Sequence, residues 1–213
     1  MTKILLIRHG ESEANRKGFF AGQTDVELLE KGIEQARATG AYISQNYQVD
    51  KVYASDLKRA YKTGAMIAEL TGAELIADKR LREINAGLWQ GNAFDDILTR
   101  YHDSYTCWLH DIGNCRCDGG ESVKQLGERI LEALREIAGS NPDKTVVVAT
   151  HATPIRVMQC ILKGLPLDEM KSIPWVSNAS VTEIACKEGE WTFVKEGEDG
   201  FLSQLKTSFP PNV

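Results

Sequence analysis

Two uninterrupted apolar runs stand out along the chain, Ile4 to Ile7 and the β-branched stretch Thr145 to Thr150. Runs this short with no polar break suit strands buried on both faces, as in the middle of a parallel sheet. Each delivers a histidine at its end, in Arg8-His9-Gly10 and in Thr150-His151. Between and around them the pattern turns helical. Ile33, Ala36, Gly40, Ile43 and Tyr47 share one face, as do Ala60, Gly64, Ile67 and Leu70 before a stop at Gly72. Val49 to Ser55 reads as a second strand, Asp56 as the cap of the helix after it, and Leu75-Ile76-Ala77 as a short edge strand.

From 93 to 109 the spacing of Phe94, Ile97, Leu98, Tyr101, Tyr105 and Trp108 predicts one amphipathic helix with an aromatic face. A loop rich in Gly, Asn, Asp and Cys follows over 111–120. A helix then runs from about Glu121 to Gly139, Asn141-Pro142-Asp143 makes a turn, and Pro154 sits where a first helical turn accepts proline. Residues 180–186 and 191–194 flank Lys187-Glu188-Gly189-Glu190 as a hairpin. The polar stretch from Glu11 to Thr24 is too long for a turn and reads as a functional loop. No pattern emerges after Phe201.

Strands alternating with helices predict an α/β fold, a three-layer sandwich whose largely parallel central sheet carries helices on both faces. The length suits a single domain over 1–213, with 92–120 as an inserted helical and loop lid. A hydrophobic content of 42% and a charged content of 26% argue against disorder. The net charge of -5 provides no general attraction to nucleic acid or to an anionic membrane, so an anionic substrate needs a local cluster of arginines. No window approaches a membrane span and no signal-peptide pattern opens the chain, so a cytoplasmic location is expected. Five cysteines, an odd number without framework spacing, fit a reducing compartment.

Parallel neighbouring strands bring His9 and His151 together at the carboxyl edge of the sheet, where ligands of open α/β folds bind. Arg8 and Arg59 add two guanidiniums, whose forks match phosphate oxygens without a metal. A neutral imidazole has a lone pair available near pH 7 and attacks phosphorus directly once its other nitrogen is held. The departing oxygen then wants an acid, for which Glu83 is the candidate, because desolvation or a nearby phosphate raises a carboxyl's proton affinity. Cys107, His110, Cys115 and Cys117 carry soft ligand atoms, but their spacing matches no paired Cys-x-x-Cys site. No metal site is expected there, and the segment reads instead as a lid that selects the substrate.

Arg8-His9-Gly10-Glu11-Ser12 with Asn15, Ser55-Asp56-Leu57-Lys58-Arg59-Ala60, Leu81-Arg82-Glu83-Ile84 through Trp89-Gln90-Gly91, and Thr150-His151 with Pro154-Ile155-Arg156 together resemble the histidine phosphatase superfamily, also called phosphoglycerate mutase-like. The resemblance implies that His9 is phosphorylated, that Arg8, Arg59 and His151 form the phosphate pocket, and that Glu83 protonates the leaving group and later activates water. It places Asn15 near the phosphate, the Ala21-Gly22-Gln23 stretch (Gly22 and Gln23 above all) on the substrate side, and the Ala152 amide within reach of a phosphoryl oxygen. Two positions depart from the family pattern: Ala152 stands where Gly is common, and Leu29 where a Thr or Ser caps a helix.

The implied function is a phosphomonoester hydrolase acting on a small phosphorylated metabolite through a phosphohistidine, with no cofactor and no metal. A bisphosphoglycerate-dependent phosphoglycerate mutase is the alternative. The Gly87-x-Trp89-Gln90-Gly91 element is typical of the phosphatase branch, and the longer insertion that mutases use to hold a second phosphate is missing. A regulatory binder without turnover is the third reading, and the intact nucleophile, acid and arginines speak against it. The sequence does not choose among a nucleotide, a sugar phosphate, a cofactor precursor such as α-ribazole phosphate, or a broad range of substrates. Dimerisation enters only as something the family suggests.

Overall fold

The computed structural model describes residues 1–207, so residues 208–213 of the expected domain lie outside the described residues. The chain runs β1 (Thr2–Arg8), α1 (Glu13–Lys17), α2 (Glu30–Asn46), β2 (Lys51–Ala54), α3 (Lys58–Thr71), β3 (Glu74–Ala77), α4 (Phe94–Arg100), α5 (His102–His110), α6 (Val123–Ser140), β4 (Thr145–Thr150), α7 (Ala152–Leu162), β5 (Val181–Lys187) and β6 (Glu190–Glu198). Among the described residues the strands form one sheet in the order β3-β2-β4-β1-β5-β6. The first four are mutually parallel, while β5 and β6 join antiparallel as the expected hairpin.

Alternation along the strands sorts the core into two layers. Ile4, Leu6, Val146 and Val148 face the side packed by α6, α7 and the 84–117 segment, whereas Leu5, Ile7, Val52 and Val147 face α2 and α3. Both central strands are therefore buried on both faces, which explains their unbroken apolar runs. After β1 the chain crosses to the α2–α3 face, and after β4 it enters α7 on the other. That divergence opens a crevice at the carboxyl ends of β1 and β4, where Arg8 pairs in register with Thr150.

Three local expectations are corrected. The helix expected over 93–109 breaks at Tyr101, whose φ of -128 and ψ of 46 end α4 and start α5. The break lets Tyr105 and Trp108 meet Phe20 and Trp89 in an edge-on aromatic cluster, with ring centroids 5.1–5.9 Å apart for Phe20–Trp108, Phe20–Trp89, Trp89–Tyr105 and Trp89–Trp108. Asp56 does not cap α3, because Arg82 takes both its carboxylate oxygens at 2.5 and 2.6 Å. Leu57 holds the cap position, and Asp25 Oδ1 accepts the Lys58 amide instead. The 11–24 stretch is not all loop, since Ser12 and Asn15 form a capping box that starts α1. Leu29 does cap α2 without a side-chain bond, in line with its departure from the family pattern.

Candidate active site

A cavity of about 910 Å³ lies over the β1/β4 crevice. Arg8, His9, Asn15, Gly22, Arg59, Glu83 and Ala152 all reach its surface, so the structure brings together most of the residues singled out in the sequence. His151 is not on that surface. It is fully buried and stands edge-on to His9, with the ring centroids 5.2 Å apart. Gln23 is also behind the wall, where its Nε2 donates to the Glu83 carbonyl (3.1 Å) and its amide to Gln90 Oε1 (2.8 Å). It shapes the segment that carries Glu83 rather than facing the cavity.

His9 is oriented by its own loop. Its Nδ1 lies 2.7 Å from the Gly10 carbonyl, which can only accept, so Nδ1 carries the proton and Nε2 the lone pair. The Gly10 backbone cannot shift to release this contact: its amide donates to Thr63 Oγ1, and a Cβ on Gly10 would stand 2.3 Å from the Gly32 carbonyl. Burial, then the charges of Arg59 and Arg8, hold the His9 pKa well below its ordinary value, so the ring is neutral.

Arg59 donates Nε to His9 Nε2 at 3.3 Å, with Nη1 on the Thr24 carbonyl and Nη2 on the Gly22 carbonyl. Gly22 thus contributes a carbonyl that fixes the guanidinium. With φ +50 and Gln90 Oε1 2.7 Å from where a Cβ would sit, it has no room for a side chain. Arg8 Nη1 donates to the Val176 carbonyl at 2.6 Å. Burial lowers both guanidinium pKa values to about 10, which leaves both charged near neutral pH.

Ser55 Oγ accepts the Leu57 amide, so its hydroxyl hydrogen is available to His151 Nε2, 2.9 Å away. With Ser55 donating to Nε2 the ring proton of His151 sits on Nδ1, which has no protein partner among the described residues. Asn15 Oδ1 accepts from Ser12 N, Ser12 Oγ and Asn178 Nδ2, which leaves its Nδ2 as the group for the cavity. Ala152 opens α7, so its N–H belongs to the first-turn donors that lack intrahelical partners.

Glu83 is half-buried beside this cluster. Oε1 accepts from the Ile84 amide (2.8 Å) and Oε2 from the Thr153 amide (3.3 Å). Desolvation outweighs those bonds and the pull of Arg59, and raises its pKa above the ordinary carboxyl value. A neutral imidazole, two guanidiniums and a carboxyl whose proton affinity burial raises therefore converge on one cavity, with the His151 ring buried behind them, a set suited to in-line transfer of a phosphoryl group through histidine.

The 93–110 segment covers the cavity from one side with Phe94, Leu98, Tyr105, Trp108 and His110, while Arg156, Lys171 and Trp175 border it from the other. Arg156 appears in the sequence motif without an assigned role. Its Nε donates to the Ile173 carbonyl, and its guanidinium lies 4.3 Å from the centre of the Trp175 ring. Thr153, Asn178 and the 171–175 rim carry no sequence signal, because only the fold brings them to the crevice. Cys115 and Cys117 are buried in the core and Cys107 bonds the Asp111 carbonyl, while His110 stays exposed at the rim. Among the described residues no group of three or more His, Cys, Asp or Glu side chains is placed to hold a metal ion. Nor is any described helix long and apolar enough to cross a membrane.

The profile of the histidine phosphatase superfamily (branch 1) matches residues 4–199. Phosphoserine phosphatase 1 of Hydrogenobacter thermophilus is 34% identical over 188 residues, covering 88% of either chain. The metal-independent phosphoserine phosphatase of Arabidopsis thaliana is 31% identical over 96% of this chain and 85% of its own. Among solved structures, Bacillus stearothermophilus YhfR superimposes with a TM-score of 0.91 at 27% identity, covering 95% of this chain and 100% of that one.

Proposed function

Since the chain belongs to the histidine phosphatase superfamily, we propose that it hydrolyses a small phosphomonoester of the phosphoserine type through a phosphohistidine at His9. The observation that carries this reading is the pairing of His9 Nε2, an imidazole lone pair beside the Arg59 guanidinium, with Glu83, a carboxyl whose proton affinity burial raises in the same cavity. His9 Nε2 attacks phosphorus and the ester P–O bond breaks. Glu83 gives its proton to the leaving oxygen, and Arg8, Arg59 and the His151 N–H hold the equatorial oxygens. The phosphorylated ring keeps its Nδ1–H on the Gly10 carbonyl and is cationic, which makes it a good leaving group. Water then attacks phosphorus, Glu83 takes the water's proton, the P–N bond breaks, and His9 returns neutral.

Guanidiniums do the charge work that a divalent ion does elsewhere, so a chelator should leave the rate unchanged. The non-phosphate part of the substrate lies between the aromatic wall of the 93–110 segment and the Arg156–Lys171 side. Lys171 suits a carboxylate and Asp95, on the same cavity, suits an ammonium group. The two relatives described above are named for action on phosphoserine, which supports this choice over a mutase. The test is a phosphate-release screen that includes L-phosphoserine, and 3-phosphoglycerate with and without its bisphosphate. Phosphate release from L-phosphoserine is expected. Isomerisation of 3-phosphoglycerate without release would overturn hydrolysis.

A further inference from the structure

Glu83 sits on an irregular segment. A single turn of 3-10 helix covers Lys79–Leu81 and extended chain follows, so the backbone that carries the Glu83 carboxyl lies in neither helix nor sheet, while the Ile84 and Thr153 amides hold the carboxyl itself. Besides the Arg82–Asp56 pair, another ion pair holds this segment through its backbone. Arg129, on α6, donates Nη1 to the Arg80 and Arg82 carbonyls (2.6 and 3.1 Å) and Nη2 to the Glu83 carbonyl (3.4 Å). Its remaining donors form a fork on Glu121, Nε to Oε1 at 2.9 Å and Nη2 to Oε2 at 2.8 Å. Glu121 in turn accepts the Asn85 amide at 3.0 Å and donates its own amide to the Asn85 carbonyl at 2.8 Å.

The pair therefore contacts the backbone on both sides of Glu83. An ordinary surface ion pair has little effect, but here both side chains are largely covered, at 22% and 15% exposure, and the guanidinium spends three contacts on carbonyls. The 111–120 loop is tied to the same knot, since Gly120 lies so close that a Cβ on it would stand 2.2 Å from the Asn85 carbonyl.

We propose that Arg129, held by Glu121, is a positioning residue for proton transfer by Glu83, fixing the backbone of residues 80–85 so that the carboxyl meets the departing oxygen. This rests on the reading of Glu83 as the proton donor. A misplaced acid harms an ester only as far as that ester needs its proton. An alkoxide leaving group needs it fully, whereas 4-nitrophenolate departs with little help. General destabilisation lowers both reactions alike.

The test compares kcat/KM for 4-nitrophenyl phosphate and for the best alkyl phosphate of the screen, in the wild type, Arg129→Lys, Glu121→Gln and Glu83→Gln, with thermal unfolding as a check on folding. Lysine keeps the charge but cannot reach the carbonyls and Glu121 together. The ratio of aryl to alkyl kcat/KM should rise about tenfold or more in Arg129→Lys, through kcat rather than KM, and in the same direction in Glu121→Gln. Glu83→Gln should give the largest rise. An unchanged ratio in Arg129→Lys and Glu121→Gln, alongside a raised one in Glu83→Gln, overturns the proposal. An unchanged ratio in Glu83→Gln removes Glu83 as the acid, and this role of Arg129 with it. Should Arg129→Lys not fold, Glu121→Gln decides alone.

Discussion

Arg59 Nε points at His9 Nε2 over 3.3 Å, so a guanidinium rests on the lone pair that must attack phosphorus. The other two nitrogens of that guanidinium are tied to the Thr24 and Gly22 carbonyls, which fixes the direction of Nε. A phosphoryl oxygen entering the site takes over this N–H as the lone pair turns to phosphorus. Arg59→Lys keeps a charge but loses the fork and its two carbonyl anchors. A fall in kcat/KM of about a hundredfold or more is expected, read by steady-state kinetics, and a change within threefold would speak against this role.

The pH profile follows from two opposite shifts. His9 is held well below its ordinary value, so the nucleophile is lost only in acid. Glu83 is raised above its ordinary value, so the proton donor is lost as pH climbs through that raised pKa. After allowance for substrate ionisation, kcat/KM for an alkyl phosphate should show an alkaline limb that Glu83→Gln abolishes. Persistence of the limb in the variant would reassign it.

Stability should also depend on pH. His9 and His151 are buried neutral, with pKa values lowered chiefly by desolvation, so below about pH 6.5 the unfolded chain binds protons that the native state refuses. Their contribution is complete above that pH and is lost as pH falls, by about 1.4 kcal/mol per histidine per unit. Glu83, whose native pKa is raised, acts in the opposite sense over its own window and offsets part of this loss. Denaturant unfolding between pH 7 and 5 should therefore show a shallower slope in His151→Asn than in the wild type. Equal slopes would mean that His151 charges freely in the native state.

Gly10→Ala places a methyl 2.3 Å from the Gly32 carbonyl, backbone against backbone, where no side chain can swing away. Overpacking of this kind costs about 1–3 kcal/mol. Because Gly10 carries the carbonyl that orients His9, the activity of the folded fraction should fall as well. Calorimetry and an activity titration read the two effects separately, and a variant of native stability and rate would contradict the packing argument.

The central strands and their histidines were legible because burial on both faces writes an unbroken apolar run, and because sheet chemistry puts ligands at strand ends. The Tyr101 break was not legible, since Phe94 to Trp108 keeps helical spacing on both sides of it and only the Phe20–Trp89 cluster bends the path. Asp56 looked like a cap because caps are local, while its partner Arg82 is reached only through the fold. The same holds for Arg129 and Glu121. On α6 and just before it they read as ordinary surface charges, and their meaning lies in the carbonyls of residues 80–83 that tertiary packing lays against them. Gln23 was placed on the substrate side by resemblance, yet a hydrogen bond to the Glu83 backbone turns it away from the cavity.

The central claim is a covalent phosphate on His9. Rapid-quench of the enzyme with 32P-labelled substrate, followed by peptide mapping under alkaline conditions, should find an acid-labile, alkali-stable phosphate on the peptide carrying His9, formed and consumed at rates that match turnover. His9→Ala should lose both label and turnover. Turnover without label on His9, or full activity in His9→Ala, would contradict the account.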